Sequence, residues 1–383
     1  MYTKCMIGKK VQQPNGFKAF ILAPFPNKGL FDHPPDIIKK DTQASRLLGK
    51  LDGITQLLPD VNFFISMYVC KDAAASSQIE GTKATMIDAL EADVKIESGL
   101  PADVDDILHY ISALNYGMKR LREFPLSLRF MREIHKELMA KGRQTHFSDP
   151  GNFRKSQNWI NGKGPADAEF VPPPVDAMHS ALGEFEKFLH AVDTMPPLIK
   201  AAILHSQFET IHPFLDGNGR TGRMLITFFL CKEGLLEKPV LYLSSYFKKY
   251  KKVYYQRLTD YREGREEKWI DFFLDGIIET SESAIETVRE ITLLREQDIA
   301  KISKLNKTSS QSAMNVLPRL FAQPIVTVAT IQEWSGFNTR TGAQKLIDRF
   351  SELGILEIKD DTVKYGRTYV YRKYLDIFEK SLA

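Results

Sequence analysis

Apolar residues recur at helical spacing through most of this chain, and the few places where that period fails confine it to a helical bundle with one excursion into β structure. The pattern spans residues 36–93 with a break at Pro59-Asp60, and residues 104–140 with a break at Pro125. It returns over 175–190, 197–210, 219–232, 244–262 and 269–305, with Gly234 as a helix stop. Between 141 and 174 the period is lost. There Asn161-Gly162 follows residues 153–160 as a hairpin signal, and Pro172-Pro173-Pro174 cannot lie inside a helix.

Further on, the polar stretch 306–312 reads as a linker. Residues 331–336, an amphipathic run over 339–353, Gly354 and an alternating run over 355–374 suggest a helix-turn-helix with a β wing. The expected fold is mainly α, a helical bundle with a β-hairpin flap, plus a C-terminal winged-helix domain. Its expected divisions are 1–103, 104–305 and 306–383. At 383 residues the chain is long for a single core, which agrees with several domains.

Composition removes other classes. With 43% hydrophobic and 26% charged residues the chain is neither disordered nor a coiled-coil rod. Its longer apolar stretches, such as 224–231, fall short of the ~18 residues that span a bilayer. Cys5, Cys70 and Cys231 are scattered and odd in number, so neither a disulfide framework nor a zinc knuckle is expected, and a reducing cytoplasm fits. No secretion signal is read at the N-terminus. A net charge of +4 leaves the partner open.

The chemistry concentrates in His212-Pro213-Phe214-Leu215-Asp216-Gly217-Asn218-Gly219-Arg220-Thr221-Gly222-Arg223, between two helical stretches. Gly217 and Gly219 around Asn218 let consecutive N–H groups converge at a helix start, an anion cradle. Arg220 and Arg223 add two forked, permanently charged donors on one face, so the site suits a polyphosphate. Asp216 supplies a hard oxygen ligand for a phosphate-bound Mg²⁺. His212 stands at the rim as a base for an attacking hydroxyl. Gly217, Gly219 and Gly222 also match G-x-G-x-x-G, but that fingerprint needs a preceding strand, and 201–208 is helical in period. His205, Glu209 and His212 lack the spacing of a metallohydrolase.

The string from His212 to Arg223 resembles the signature of the Fic family, His-x-Phe-x-Asp/Glu-Gly-Asn-Gly-Arg-x-x-Arg. Gly151 to Ile160, with Arg154, is similar to the family's approach to its flap, and Ser76-Ser77-Gln78-Ile79-Glu80-Gly81 resembles its inhibitory-helix motif. The resemblance implies transfer of AMP from ATP to a hydroxyl of a target protein, with Mg²⁺ as cofactor. His212 is then the base and Asp216 the Mg²⁺ ligand. Phe214, Gly217, Asn218, Gly219, Arg220, Arg223 and Gln256 become the ATP-binding residues. It further implies that Glu80 inhibits by docking on Arg223 as a bidentate pair, and that the flap holds the target by strand addition; Ser76, one helical turn before Glu80 on the same face, is placed to touch the nucleotide or the same arginine. Expected partners are ATP, a target offering a Tyr, Ser or Thr hydroxyl, and a second copy of the chain, with no membrane. Other readings are removal of AMP from a target, with Glu80 orienting water, and a phosphotransferase, against which Gly219 and Arg223 speak. A third is a DNA-binding regulator acting through 339–353 and a wing bearing Lys359, Lys364, Arg367, Arg372 and Lys373, or a protein contact there.

Overall fold

A hairpin of which the helical period carried no sign precedes the first helix in the computed structural model: β1 (Gly8–Gln12) pairs antiparallel with β2 (Lys18–Leu22), Lys10 opposite Phe20. The structure describes residues 7–26, 28–56, 58, 61–93, 100–139, 149–337, 339–360, 362 and 366–380. The expected break at Pro59-Asp60, part of the 141–174 loop, Cys5 and Lys364 lie outside them. Three helices follow: α1 (Pro35–Thr55), α2 (Val61–Ile79) and α3 (Met86–Asp93). Next come α4 (Val104–Arg120) and α5 (Leu128–Met139), divided around Pro125. Asp105 and Asp106 in the first turn of α4, with Lys119 and Arg120 in its last, complement the helix dipole.

The bundle continues with α6 (Val175–His190), α7 (Pro197–Ile211) and α8 (Asn218–Lys232). Residues 198–211 of α7 are all buried, and nearly all of α8 is, because a helix apolar around its circumference must lie inside the bundle. The loop joining these two innermost helices is the His212 segment. The stretch 244–262 is two helices rather than one, α9 (Ser244–Lys249) and α10 (Lys251–Arg262), since Tyr250 leaves the helical region at φ −106° and ψ 35°. The 37-residue α11 (Glu266–Ile302) runs along α1.

Residues 306–312 are not a linker but the start of α12 (Lys307–Ala322), where the Asn306 Oδ1 accepts the Ser309 N–H at 3.0 Å as an N-cap. A small antiparallel sheet orders β3 (Ile325–Thr327), β5 (Thr368–Val370) and β4 (Glu357–Ile358) side by side. Between β3 and β4 lie α13 (Val328–Ser335), closed by Gly336 at φ +68°, and α14 (Arg340–Glu352), capped by Thr339. The expected alternating run ends early: Arg372 and Lys373 open α15 (Arg372–Lys380) instead of decorating a wing. Lys359 pairs with Glu91 of α3, Arg372 with Glu357, and Lys373 donates to the Gly354 carbonyl, so three of the five cations expected on a wing are tied to the protein itself. The tail packs on the bundle through the Tyr68–Phe378 ring pair, 5.7 Å apart, and through Tyr371, whose hydroxyl donates to the buried Asp298 of α11.

The expected flap hairpin is reduced to a single antiparallel bridge, Ile160 to Phe170, turned by Asn161 at φ +56° and Gly162 at φ +83°. The N-terminal hairpin extends it, since Phe20 donates its N–H to the Val171 carbonyl at 2.9 Å. Among the described residues no helix is long and apolar enough to cross a membrane.

Candidate active site

The turn out of α7 is left-handed at His212 (φ +50°, ψ +61°), while its N–H still bonds the Phe208 carbonyl at 2.9 Å. This conformation is uncommon outside glycine and persists only where the surroundings enforce it. Arg154 does much of the enforcing. Only 1% exposed, it donates Nε to the His212 carbonyl at 3.0 Å and its own N–H to the Pro213 carbonyl at 2.9 Å. Its remaining donors reach the Ser156 and Pro173 carbonyls. With no carboxylate partner among these contacts, burial pulls the guanidinium down to about 10. Asn158 adds a bond to the Phe214 carbonyl at 2.8 Å.

Asn218 braces the loop from within. Its Oδ1 accepts the Phe214 N–H and its Nδ2 donates to the Phe214 carbonyl, both at 2.8 Å. Its amide is thus engaged in shaping the cradle. Asp216 is exposed, and one of its oxygens accepts the Gly217 N–H at 2.6 Å. Gly217 is the left-handed N-cap of α8, whose opening N–H groups have no carbonyl within the helix to bond. Behind the loop, His135 stacks on Phe214 at 3.7 Å. Its Nδ1 accepts the Gly151 N–H at 2.9 Å, so its Nε2 is the donor to the Asp216 carbonyl at 2.9 Å. Burial pulls His135 down to about 4, which keeps that tautomer neutral.

His212 keeps a buried Nδ1 with no partner. Burial, then Arg262 and Arg154, push it down to about 3, so the imidazole is neutral near pH 7. Glu80 of the α2 terminus meets Arg223 at 2.7 Å between Oε1 and Nη2. The pair is not the expected bidentate one: the same fork also gives Nε to Ser76 Oγ at 2.8 Å and Nη2 to the Ser76 carbonyl at 3.0 Å. Burial opposes ionisation of Glu80, but Arg223, helped by Arg220, outweighs it and holds the carboxyl below its ordinary value. The Glu80 carboxylate also lies over Gly219, where a Cβ would collide with Oε1. It therefore rests on the cradle itself. Arg220 turns toward Asp106, 3.8 Å away, and Met139, leaving a buried Nε unpaired.

A cavity of about 1120 Å³ opens beside Glu80, walled by Phe170, Glu209, Lys251, Tyr255 and Arg262. Gln256 is exposed on α10 and does not line it; its neighbour Tyr255 does. Glu209 is a buried acid with an unpaired Oε1, pushed up to about 7 by burial against the pull of Arg223. It explains Gly222, since a Cβ there would come within 2.7 Å of that oxygen. Arg262 donates to the Glu209 carbonyl at 3.2 Å and lies 3.7 Å over the Phe170 ring. His205 is a packed core residue bonded to the Gly222 carbonyl and the Tyr254 hydroxyl, both at 2.9 Å. Sequence reasoning passed over His135 and Arg262. Each is one polar residue among several on its helix, and nothing local marks it out.

The donor set fits a Mg²⁺ carried in on phosphates. Mg²⁺ takes one or two carboxylates and keeps its waters, and Asp216 offers one exposed carboxylate beside a phosphate-seeking cradle. Among the described residues no group of three or more His, Cys, Asp or Glu side chains could form a full protein cage.

Two family models match the chain, Fic/DOC family N-terminal over residues 38–119 and Fic/DOC family over residues 125–230. Protein adenylyltransferase Fic of Drosophila erecta is 26% identical over 206 residues, 51% of this chain and 38% of that protein. A probable protein adenylyltransferase of Aquifex aeolicus is 39% identical over 90 residues, 24% of this chain and 27% of that one. The chain thus spans less than two fifths of the length of these curated relatives. A solved Fic family protein from Desulfovibrio desulfuricans shares the fold with a TM-score of 0.57 at 17% identity, over 89% of this chain and 97% of that one. A Fic-domain signaling protein from Bacteroides thetaiotaomicron gives 0.54 at 18% identity, over 64% of this chain and 97% of that one.

Proposed function

The chain belongs to the Fic/DOC family, matched over residues 38–119 and 125–230, and we propose from that premise that it moves the AMP moiety of ATP to a hydroxyl of a target protein. One observation carries this reading. A neutral His212, held in a left-handed turn by Arg154, stands next to a helix N-terminus and an arginine that together suit a polyphosphate. The target's hydroxyl oxygen forms a bond to the α-phosphorus, the bond from that phosphorus to the bridging oxygen breaks, pyrophosphate leaves, and the hydroxyl proton passes to His212. Arg223 and Arg220 stabilise the departing charge, and the amides of α8 hold the phosphates in place. Asp216 would hold a Mg²⁺ that arrives on the phosphates, and the ion would supply further neutralisation of negative charge there.

In the resting chain Glu80 covers Gly219 and engages Arg223, so it competes with the phosphates for both. This supports reading α2 as an inhibitory helix. The test is mass spectrometry of the purified protein after incubation with ATP and Mg²⁺, in the wild type and in Glu80→Gly. A gain of one AMP on the protein supports the reading, and its absence from both proteins and from added lysate proteins refutes it. His212→Ala should abolish that gain while ATP affinity, measured by calorimetry, stays within a few-fold, because the base acts on the acceptor and the cradle on the nucleotide.

A further inference from the structure

The end of α2 is held from two sides. On one, the α4 start receives it: Thr82 Oγ1 donates to Asp106 at 3.0 Å, and the Lys83 and Ala84 N–H groups donate to Asp103 at 2.7 and 3.2 Å. On the other stands a single ammonium, Lys251 of α10, which donates to the Ile79 carbonyl at 2.6 Å. A helix ends with carbonyls that its own amides do not reach and with the negative end of its dipole, and a cation there is stabilising. The last turn of α2 has no basic residue of its own. The cation comes instead from another helix, 172 positions away in sequence.

The location of that bond matters more than its strength. The Ile79 carbonyl, the Glu80 N–H and the Glu80 Cα belong to one planar peptide unit, so holding the carbonyl holds the point from which the Glu80 side chain leaves the backbone and leaves only its own dihedrals to aim it. The Glu80 N–H itself bonds the Ser77 carbonyl at 3.0 Å, and beyond it Gly81 turns away at φ +101°. Lys251 thus grips the peptide plane that carries the Glu80 Cα, the root of the carboxylate that meets Arg223. It does so from α10, the helix that also supplies Tyr255 and Arg262 to the cavity.

We propose that Lys251 is a positioning residue for the inhibitory carboxylate, a clamp without which Glu80 dwells less on Arg223 and Gly219. The proposal rests on reading Glu80 as inhibitory, so its experiment carries a readout independent of activity. Hydrogen exchange at the amides of Glu80, Gly81 and Thr82 is compared in wild type, Lys251→Met, which keeps the stem and loses the donors, and Lys251→Arg, which keeps a donor. Exchange at these amides should quicken about three- to tenfold in Lys251→Met, as for loss of one part-buried charge-assisted bond, and return in Lys251→Arg, while α7 amides stay unchanged. Self-labelling with ATP should rise by a similar factor in Lys251→Met and should add nothing to Glu80→Gly. Exchange equal to wild type in Lys251→Met overturns the clamp. So does a drop in labelling when Lys251→Met is added to Glu80→Gly, which would make Lys251 a nucleotide-binding residue instead. Should Glu80→Gly label no better than wild type, the inhibitory reading fails, and the exchange data still decide whether Lys251 fixes the helix end.

Discussion

Ionised Glu80 is tolerable against the cradle because Arg223 faces it, and that dependence sets what its removal does. If the contact biases the site by about 1.4 to 3 kcal/mol, Glu80→Gly should raise self-labelling on the order of tenfold to a hundredfold. Under the proposed function the freed guanidinium receives the phosphates, so Arg223→Ala added to it should cancel the gain. Radiolabelled ATP with the three proteins side by side checks both. His135 makes a second residue-scale claim. Its value is near 4 in the folded chain against an ordinary 6.5, so the unfolded chain binds the extra proton between those values. Stability from the neutral ring is present above pH 6.5 and is lost as pH falls toward 4. Between pH 7 and 5 the wild type should lose about 2 kcal/mol more than His135→Asn in urea unfolding; equal losses would mean that the ring is not held neutral.

At this scale the site was half legible. The His212 to Arg223 string announces itself because its glycines, arginines and acid are adjacent in sequence. His135, 81 positions from the carbonyl it holds, gains its role only when α5 packs behind the loop. Gly222 fits a dinucleotide fingerprint only by spacing, which its helical context already excludes, and its use is to leave room for the Glu209 carboxyl.

Helices were read well where one apolar face repeats over several turns, as in α6, whose bounds agree with the pattern. They were misread where polarity alone was the guide. Residues 306–312 are polar because they form the outer first turns of α12, begun by an Asn306 cap. Asn306→Ala should therefore lower stability by about 1 kcal/mol in chemical denaturation, whereas a true linker would show no change. The split of α9 from α10 at Tyr250 and the β1–β2 hairpin were invisible for another reason. The first is one residue's backbone angles, and the second is a pair of five-residue strands tied to the flap by Phe20, whose N–H bonds the Val171 carbonyl and whose ring packs on Phe170. The flap is the converse case: Asn161-Gly162 does turn, but the chain is held there mainly by Arg154 and the prolines' carbonyls rather than by a ladder.

Across the whole molecule, α2 joins the tail to the site, with Tyr68 against Phe378 partway along it and Glu80 on Arg223 just past its C-terminal end. Its middle is fixed by the buried Asp72, which accepts from the Tyr110 hydroxyl at 2.7 Å and the Ser244 N–H at 3.1 Å. A carboxylate tethered in this way meets Arg223 at an effective local concentration set by the fold, in the millimolar range or above even for loose tethers, and diluting the protein does not alter it. Under the proposed reading of Glu80 as inhibitory, its restraint is a first-order property of each molecule. The ratio of Glu80→Gly to wild-type labelling of an added target should stay constant as enzyme concentration is lowered a thousandfold, and millimolar acetate should fail to quiet Glu80→Gly. A ratio that collapses on dilution would place the restraint between two copies instead of within one.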